Sequence, residues 1–163
     1  MSYGYLLFEG DYLNGKRHGK GKEYEYGKLI FEGKYLNGER NGKGKEYDDC
    51  KLKYEGEHLN GKMWNGKGYN KDGKLEFEII NGKGFIIEYN DWNKIFEGEY
   101  LNGIRNGKGK EFNENGKLIF ECEYLNGEKN GKGKEYYYNG NLRFEGEYKN
   151  GKRNGKGRLY ENI

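Results

Sequence analysis

The sequence predicts an all-β fold, an elongated single-layer antiparallel sheet of consecutive β-hairpins, and three observations support it. A motif of an aromatic residue, Glu and usually Gly recurs along almost the whole chain. Apolar and mostly charged residues alternate across the motif, for example over residues 118–125, which is typical of a strand with two different faces. Asn-Gly pairs such as Asn37-Gly38 follow, and they favour the positive φ angles of tight hairpin turns.

Seven units cover residues 6–163, which we interpret as a single repeat domain. Their starts are spaced by 23, 23, 23, 19, 24 and 24 residues, and the fourth unit is short and irregular. The units start at Phe8, Phe31, Tyr54, Phe77, Phe96, Phe120 and Phe144. Each unit would bury its aromatic face only against its neighbours, as the repeats of a solenoid do.

The second strand of most units carries Gly-Lys-Gly and then an aromatic residue, as in residues 42–44 before Tyr47. Glycine inside a strand costs stability and usually marks close packing or a bulge. We expect these glycines to leave room for aromatic rings from the neighbouring strand.

The composition excludes several classes of protein. The 163 residues include 30 Gly and no Pro, and only 33% are hydrophobic. The long aliphatic runs of an α/β enzyme core and of a membrane span are both absent. The start of the chain lacks the basic and apolar regions of a signal peptide. We therefore expect a cytoplasmic protein, either free or associated with a membrane or the cytoskeleton, and not a secreted one.

Residue types that carry catalysis are sparse. The chain has no Thr, and Ser2 is its one Ser, so a Ser-based triad and a P-loop are excluded. Glu pairs such as Glu97 and Glu99 recur from unit to unit, whereas a catalytic pair needs two distinct environments. We predict that the protein is not an enzyme and needs no cofactor.

The histidines and cysteines do not form a cluster in the sequence. His18 and His58 occupy unrelated repeat positions, which does not make a metal site. Cys50 and Cys122 are about three repeats apart, which is too far for a disulfide in a stacked ladder. We predict no metal site and two free thiols.

The motif resembles the MORN repeat (membrane occupation and recognition nexus). Residues 8–12 read Phe-Glu-Gly-Asp-Tyr, and Asn14-Gly15, His18-Gly19-Lys20-Gly21 and Tyr24 follow. The resemblance implies a twisted sheet with an aromatic-lined groove, used in protein scaffolds and at membranes, and some family members dimerise. The family often places an aromatic two residues after the second Gly, but here it usually comes three residues after, as in Gly44 and Tyr47. A bulge would restore the face of that aromatic.

Three surfaces are candidates for binding a partner. The first lies in the irregular third and fourth units, where the alternative interpretation is that the two tryptophans fill space beside a shortened hairpin. This candidate partner patch comprises Met63, Trp64, Phe85, Ile87 and Trp92. The second is a groove lined by Phe31, Tyr35, Tyr47, Phe96, Tyr100, Phe112, Phe120, Tyr124, Tyr136, Phe144 and Tyr148. The third is a basic rim along one end of the hairpins, formed by Arg17, Lys20, Arg40, Lys43, Arg105, Lys108, Lys129, Lys132, Arg153 and Lys156.

The function predicted from these surfaces is a non-catalytic scaffold or adaptor that binds a partner protein. One alternative is peripheral binding to an anionic phospholipid membrane through the basic rim. Another is self-assembly, including a homodimer, through exposed edge strands. Nucleic acid is a weaker partner because 27 acidic residues nearly cancel 30 basic ones.

Overall fold

The computed structural model of the protein describes residues 4–163, and within them fourteen β-strands form two antiparallel sheets of seven strands. Each strand pairs with the strands next to it in sequence. The first sheet contains β1 (Phe8–Leu13), β2 (Lys16–Glu25), β3 (Lys28–Leu36), β4 (Glu39–Asp48), β5 (Lys51–Leu59), β6 (Lys62–Tyr69) and β7 (Leu75–Ile79). The second contains β8 (Gly84–Asn90), β9 (Asn93–Leu101), β10 (Ile104–Phe112), β11 (Leu118–Leu125), β12 (Glu128–Tyr136), β13 (Leu142–Lys149) and β14 (Lys152–Leu159).

The all-β class and the hairpin architecture are confirmed, but the strands form two sheets and not one continuous sheet. Each sheet belongs to its own compact unit, one ending at Gly82 and the other spanning Lys83–Ile163. The change falls in the fourth repeat, because that repeat reaches its turn at Asn81 early and leaves β7 only five residues long. All seven predicted repeat starts lie in odd-numbered strands. No helix within residues 4–163 is long and apolar enough to cross a membrane.

The turns within hairpins form at the Asn-Gly pairs, as predicted. Asn37 and Gly38 have φ angles of 52° and 98°, and Asn102 and Gly103 have 54° and 70°. Two consecutive residues with positive φ match the turn that suits the right-handed twist of the flanking strands.

Aromatic rings cover one face of each sheet, which we call the aromatic face. Phe31 and Phe96 on this face are both 0% exposed. A Cβ on Gly44 would lie 2.5 Å from the Phe31 Cζ, and one on Gly109 would lie 2.6 Å from the Phe96 Cζ. The prediction that the strand glycines make room for rings is therefore confirmed.

Rings of successive hairpins pack edge to face along this surface. The Phe96 and Tyr124 centroids are 5.3 Å apart, and those of Phe120 and Tyr148 are 5.1 Å apart. The interplanar angles are 87° and 88°, the perpendicular arrangement that aromatic pairs favour. Each sheet thus builds its core in a single layer, by joining the Phe of one hairpin to the Tyr of the next.

Candidate functional site

Glutamates on the aromatic face join successive hairpins. Glu135 on β12 accepts a 2.5 Å hydrogen bond from the Tyr148 hydroxyl on β13. It also accepts bonds of 2.8 and 2.5 Å from Nε and Nη2 of Arg153 on β14. The Arg153 guanidinium lies 4.1 Å from the Phe144 ring centroid, within the range of a cation–π contact. We call this arrangement of Glu, Tyr and a cation over Phe an inter-hairpin clamp.

The clamp recurs in the second unit. Glu88 accepts hydrogen bonds from Arg105 at 2.7 and 2.8 Å and from the Tyr100 hydroxyl, and Arg105 lies 3.9 Å from the Phe96 centroid. At the next hairpin, Glu111 accepts 2.8 Å bonds from the Tyr124 hydroxyl and from Lys129. The same geometry built from different strands shows that the clamp is a repeat feature and not a single special site.

The clamp shifts the pKa of its members in opposite directions. The hydrogen bond from Arg153 is the largest cause that holds the pKa of Glu135 below its ordinary value, and the Tyr148 hydroxyl adds to it. Burial, followed by the hydrogen bond to Glu135, raises the pKa of Tyr148. At neutral pH the clamp therefore joins a carboxylate to a neutral phenol and a guanidinium.

One clamp in the first unit contains a histidine in place of tyrosine. The buried His58 Nε2 lies 2.9 Å from Glu46 Oε1, and its ring packs edge to face on Phe31 and Tyr54. Arg40 donates to the same Glu46 oxygen at 3.1 Å. Burial opposes ionisation of Glu46, but the His58 hydrogen bond and the Arg40 charge hold its pKa below the ordinary value.

The opposite face of each sheet, which we call the charged face, carries an open groove. In the second unit this groove has a volume of about 710 Å³. Its floor is backbone at Gly109, Gly133, Gly146 and Gly157, whose missing side chains would point toward the aromatic face. Its walls carry Glu97, Glu121, Glu123, Glu145, Glu147, Lys108, Lys110, Lys132, Lys134, Lys156 and Arg158.

Charges alternate from strand to strand along the wall of this groove. Lys110 lies opposite both Glu97 and Glu121, and Lys134 lies opposite both Glu121 and Glu145. Opposite charges on neighbouring strands stabilise a sheet modestly and leave both partners accessible. The groove therefore offers anionic and cationic groups side by side.

The first unit carries a similar groove of about 950 Å³ with an excess of lysine. Asp11 and Glu99 occupy the same repeat position in two other repeats, directly after Phe-Glu-Gly. Their carboxylates accept hydrogen bonds from the backbone N–H groups of Lys20 and Lys108. Lys34 occupies this position in the second repeat and lies directly opposite Lys20. The alternation of charge is thereby broken, and the wall becomes locally cationic.

The eleven predicted groove aromatics do not lie on one surface. Eight of them are at most 8% exposed on the aromatic face and form its core: Phe31, Tyr35, Phe96, Tyr100, Phe120, Tyr124, Phe144 and Tyr148. The other three reach the charged face. The Tyr47 and Tyr136 hydroxyls donate 2.6 Å bonds to Glu32 and Glu121, and Phe112 lies under Lys94, which pairs with Glu97.

The shared face predicted for those three aromatics is therefore wrong. The register does shift between Glu46 and Tyr47 and at the equivalent residues of other strands, but the extra residue, here Lys53 of β5, lies in the facing strand and not in the strand that carries the aromatic. Regular alternation along β4 therefore places Glu46 on the aromatic face and the following Tyr47 on the charged face. Burial, and then the hydrogen bond to Glu32, raises the pKa of Tyr47 to about 12.

The predicted basic rim is also divided between the two faces, so the expectation of one continuous rail is wrong. Arg17, Arg40, Arg105, Lys129 and Arg153 lie over phenylalanine rings and pair with glutamates of the aromatic face. Lys20, Lys43, Lys108, Lys132 and Lys156 line the grooves of the charged face. The reason is strand alternation, because the two sets are three residues apart in sequence.

The candidate partner patch is distributed over both compact units. Met63 and Trp64 are half-buried on β6 in the first unit. In the second unit, Phe85 is 54% exposed and lines the groove, and Ile87 is half-buried on β8. Trp92 occupies the β8–β9 turn with a φ of 59° and packs near Tyr89. Phe85 is thus the member of this set that joins a groove.

The remaining predicted residues are placed individually. Cys50 is exposed, Cys122 is buried, and both are free. Within residues 4–163, no three His, Cys, Asp or Glu side chains are grouped so that they could hold a metal ion. Sequence reasoning missed the clamp glutamates and Lys34. The recurrence of Glu two residues after the second strand glycine, as in Gly133 and Glu135, was the signal for the former.

Comparison with known families agrees with the repeat geometry. The family model of the MORN repeat matches residues 8–24, 31–49, 96–117, 121–142 and 144–162, more than half of the chain. No curated protein matches the chain significantly. The third and fourth repeats, where the irregular residues lie, fall outside the matched stretches.

Proposed function

Since this chain belongs to the MORN repeat family, we propose that it is a non-catalytic scaffold that binds an extended segment of a partner protein in the grooves of its charged face. MORN repeats are known in protein-binding and membrane-binding scaffolds, and the family is typically non-enzymatic. The glycine-floored groove is the observation that carries the proposal.

The charges of the groove favour a polypeptide as its occupant. Six cationic and five anionic side chains line the groove of the second unit. A polypeptide can present both signs of charge along its length, whereas an anionic surface would meet repulsion at every glutamate. The charged side chains of the groove are accessible and lie in rows along the strands, which suits the binding of an extended segment. The glycine floor allows the backbone of that segment to approach closely.

Affinity capture tests this role with a pair of matched variants. The Lys108→Ala/Lys132→Ala variant removes two exposed groove lysines, and the Lys149→Ala/Lys152→Ala variant removes two exposed lysines beside a turn of the same unit. We expect the groove variant to lose a protein that wild type and the turn variant both retain. Equal capture by all three proteins would contradict the proposal.

The tryptophans form a further arm of the same experiment. A Trp64→Ala/Trp92→Ala variant that remains folded by circular dichroism tests the candidate partner patch. Loss of the partner would extend the binding surface to the irregular repeats, and retention would leave the groove as its main part.

A second candidate function is peripheral binding to an anionic membrane, and the excess of lysine around Lys34 favours it. Lys20 and Lys34 lie opposite one another, and Lys22, Lys43 and Lys45 line the same groove. Flotation with vesicles containing phosphatidylserine tests this candidate at low and high salt. We expect Lys34→Glu, which restores the acid of other repeats, to abolish salt-sensitive binding, whereas Lys71→Glu in an exposed turn would preserve it.

A further inference from the structure

The outer strand of the first sheet, β1, and the outer strand of the second sheet, β14, have complementary open edges. Among the described residues, β1 pairs with β2 and β14 pairs with β13, so each has one edge that carries no paired strand. We call the open edge of β1 the head and that of β14 the tail. An unpaired strand edge is a template for pairing with another chain.

The internal junctions between hairpins predict the register in which the tail of one copy would pair with the head of another. At the β2–β3 and β12–β13 junctions between hairpins, glycine faces glycine, a basic residue faces Glu, and the next residue faces Phe. At the β12–β13 junction these pairs are Gly133–Gly146, Lys134–Glu145 and Glu135–Phe144. The β2–β3 junction has the equivalent pairs, from Gly21–Gly33 onward.

The same register places complementary residues of β14 and β1 together. Gly157 would face Gly10, Arg158 would face Glu9, and Leu159 would face Phe8. Lys156 would face Asp11 in the same way that Lys132 faces Glu147. Both charged pairs are of opposite sign, so this junction repeats the charge pattern of the β12–β13 junction.

Exposed apolar residues lie on both β1 and β14. Tyr12 is 61% exposed, whereas Tyr148, at the equivalent position of the last repeat, is 5% exposed. Tyr148 is covered because it packs against Phe120 of the preceding hairpin. By the same relation an incoming Tyr12 would pack against Phe144, while Leu159, now 66% exposed, would meet Phe8.

We propose that copies of this chain associate head to tail, with β1 of one copy added to β14 of the next in the register of the repeat. This interface joins two different surfaces of the same molecule, so each added copy leaves one head and one tail open. The resulting assemblies grow with concentration by the addition of whole copies, and the charged face of the second sheet of one copy continues onto the first sheet of the next.

Two proline variants each prevent pairing at one open edge, the tail or the head. Tyr160 N donates to Arg143 O on β13, so the N–H of Leu159, one residue earlier, is directed to the tail edge. Leu13 and Lys16 close the Asn14-Gly15 turn, so the N–H of Tyr12 is directed to the head edge. Leu159→Pro and Tyr12→Pro remove these outward donors and leave the internal ladder bonds in place.

Light scattering after size exclusion tests the proposal. We expect the wild-type mass to rise with concentration in multiples of 19.1 kDa, and each proline variant alone to remain at 19.1 kDa. An equimolar mixture of the two variants should form a dimer, because one supplies the only open tail and the other the only open head. Circular dichroism confirms that both variants are folded.

Three outcomes would overturn the proposal. They are a wild-type mass that stays at one copy at every concentration, a mixture that remains monomeric, and a dimer formed by either variant alone. The last would indicate a tail-to-tail or head-to-head interface. Milder variants at the same exposed residues, Leu159→Lys and Tyr12→Asn, keep the test valid if proline prevents folding. Each should weaken association by about tenfold or more, because a buried apolar side chain is lost.

Discussion

The Tyr148 hydroxyl on β13 donates a 2.5 Å hydrogen bond to Oε1 of Glu135 on β12, and this bond fastens one hairpin to the hairpin before it. The same glutamate holds Arg153 over the Phe144 ring. A single-layer sheet cannot cover its rings with a second layer. The clamp covers the Phe144 ring with the aliphatic stem and the guanidinium group of Arg153.

Replacing Glu135 with glutamine tests the contribution of the clamp to stability. Glutamine keeps one acceptor oxygen, but its NH2 group is a donor that cannot bind Arg153, and the charge that holds Arg153 is lost. We therefore expect the free energy of unfolding to fall by about 1–3 kcal/mol. Denaturant unfolding measures the change. Glu114→Gln, in an exposed turn of the same unit, serves as the control and should have no effect. Equal stability of the two variants would show that the clamp is energetically neutral.

The clamp also predicts how stability depends on acid. The pKa of Glu135 and that of Glu46 are held below their ordinary values in the folded state. Groups of this kind contribute stability that is present above the unfolded pKa and is lost as the pH falls through the folded pKa. We expect stability to decline below about pH 4.5, the ordinary value for Glu. Thermal unfolding of wild type and Glu135→Gln over this range should show a weaker decline in the variant, and parallel curves would contradict the assignment.

The contact between glycine and ring predicts a strong effect of adding one methyl group. A Cβ at Gly109 would lie 2.6 Å from Phe96 Cζ and 3.0 Å from Tyr124 Cε2. Gly109→Ala therefore has to displace a buried ring, and we expect it to cost about 1–3 kcal/mol. Lys110→Ala, at the next residue on the charged face, is the control. If urea unfolding gave the same midpoint for both variants, the rings would not be packed against the glycine backbone.

Local sequence patterns predicted the parts of the fold that depend on neighbouring residues. The Asn37-Gly38 turn needs positive φ at two successive residues, and few other pairs adopt it readily. Gly44 could be assigned to close packing because a strand otherwise excludes glycine. Both inferences require only the chemistry of one or two residues.

The face of each functional side chain was harder to predict because the sequence does not show which of two paired strands carries the extra residue of a bulge. The extra residue opposite Glu46 and Tyr47 is Lys53 of β5, so β4 keeps its regular alternation and these two neighbours lie on different faces. Glutamate is a residue type that usually lies in solvent. Glu135 takes part in a clamp only because β13 and β14 bring Tyr148 and Arg153 within hydrogen-bond distance of it. The division into two sheets occurs at the short strand β7. The residues of β7 alone do not predict how the strands on either side of it pair.

Photo-crosslinking in the groove tests the central claim, that a polypeptide segment occupies the charged face. A benzophenone amino acid replaces Lys132 in the groove of the full chain, and the control replaces Lys149, which is exposed near a turn of the same unit. Irradiation in cell extract followed by peptide mass spectrometry identifies what each residue contacts. We expect a defined protein segment to be attached at Lys132 and not at Lys149. Identical adducts at the two residues, or none at Lys132, would contradict the account.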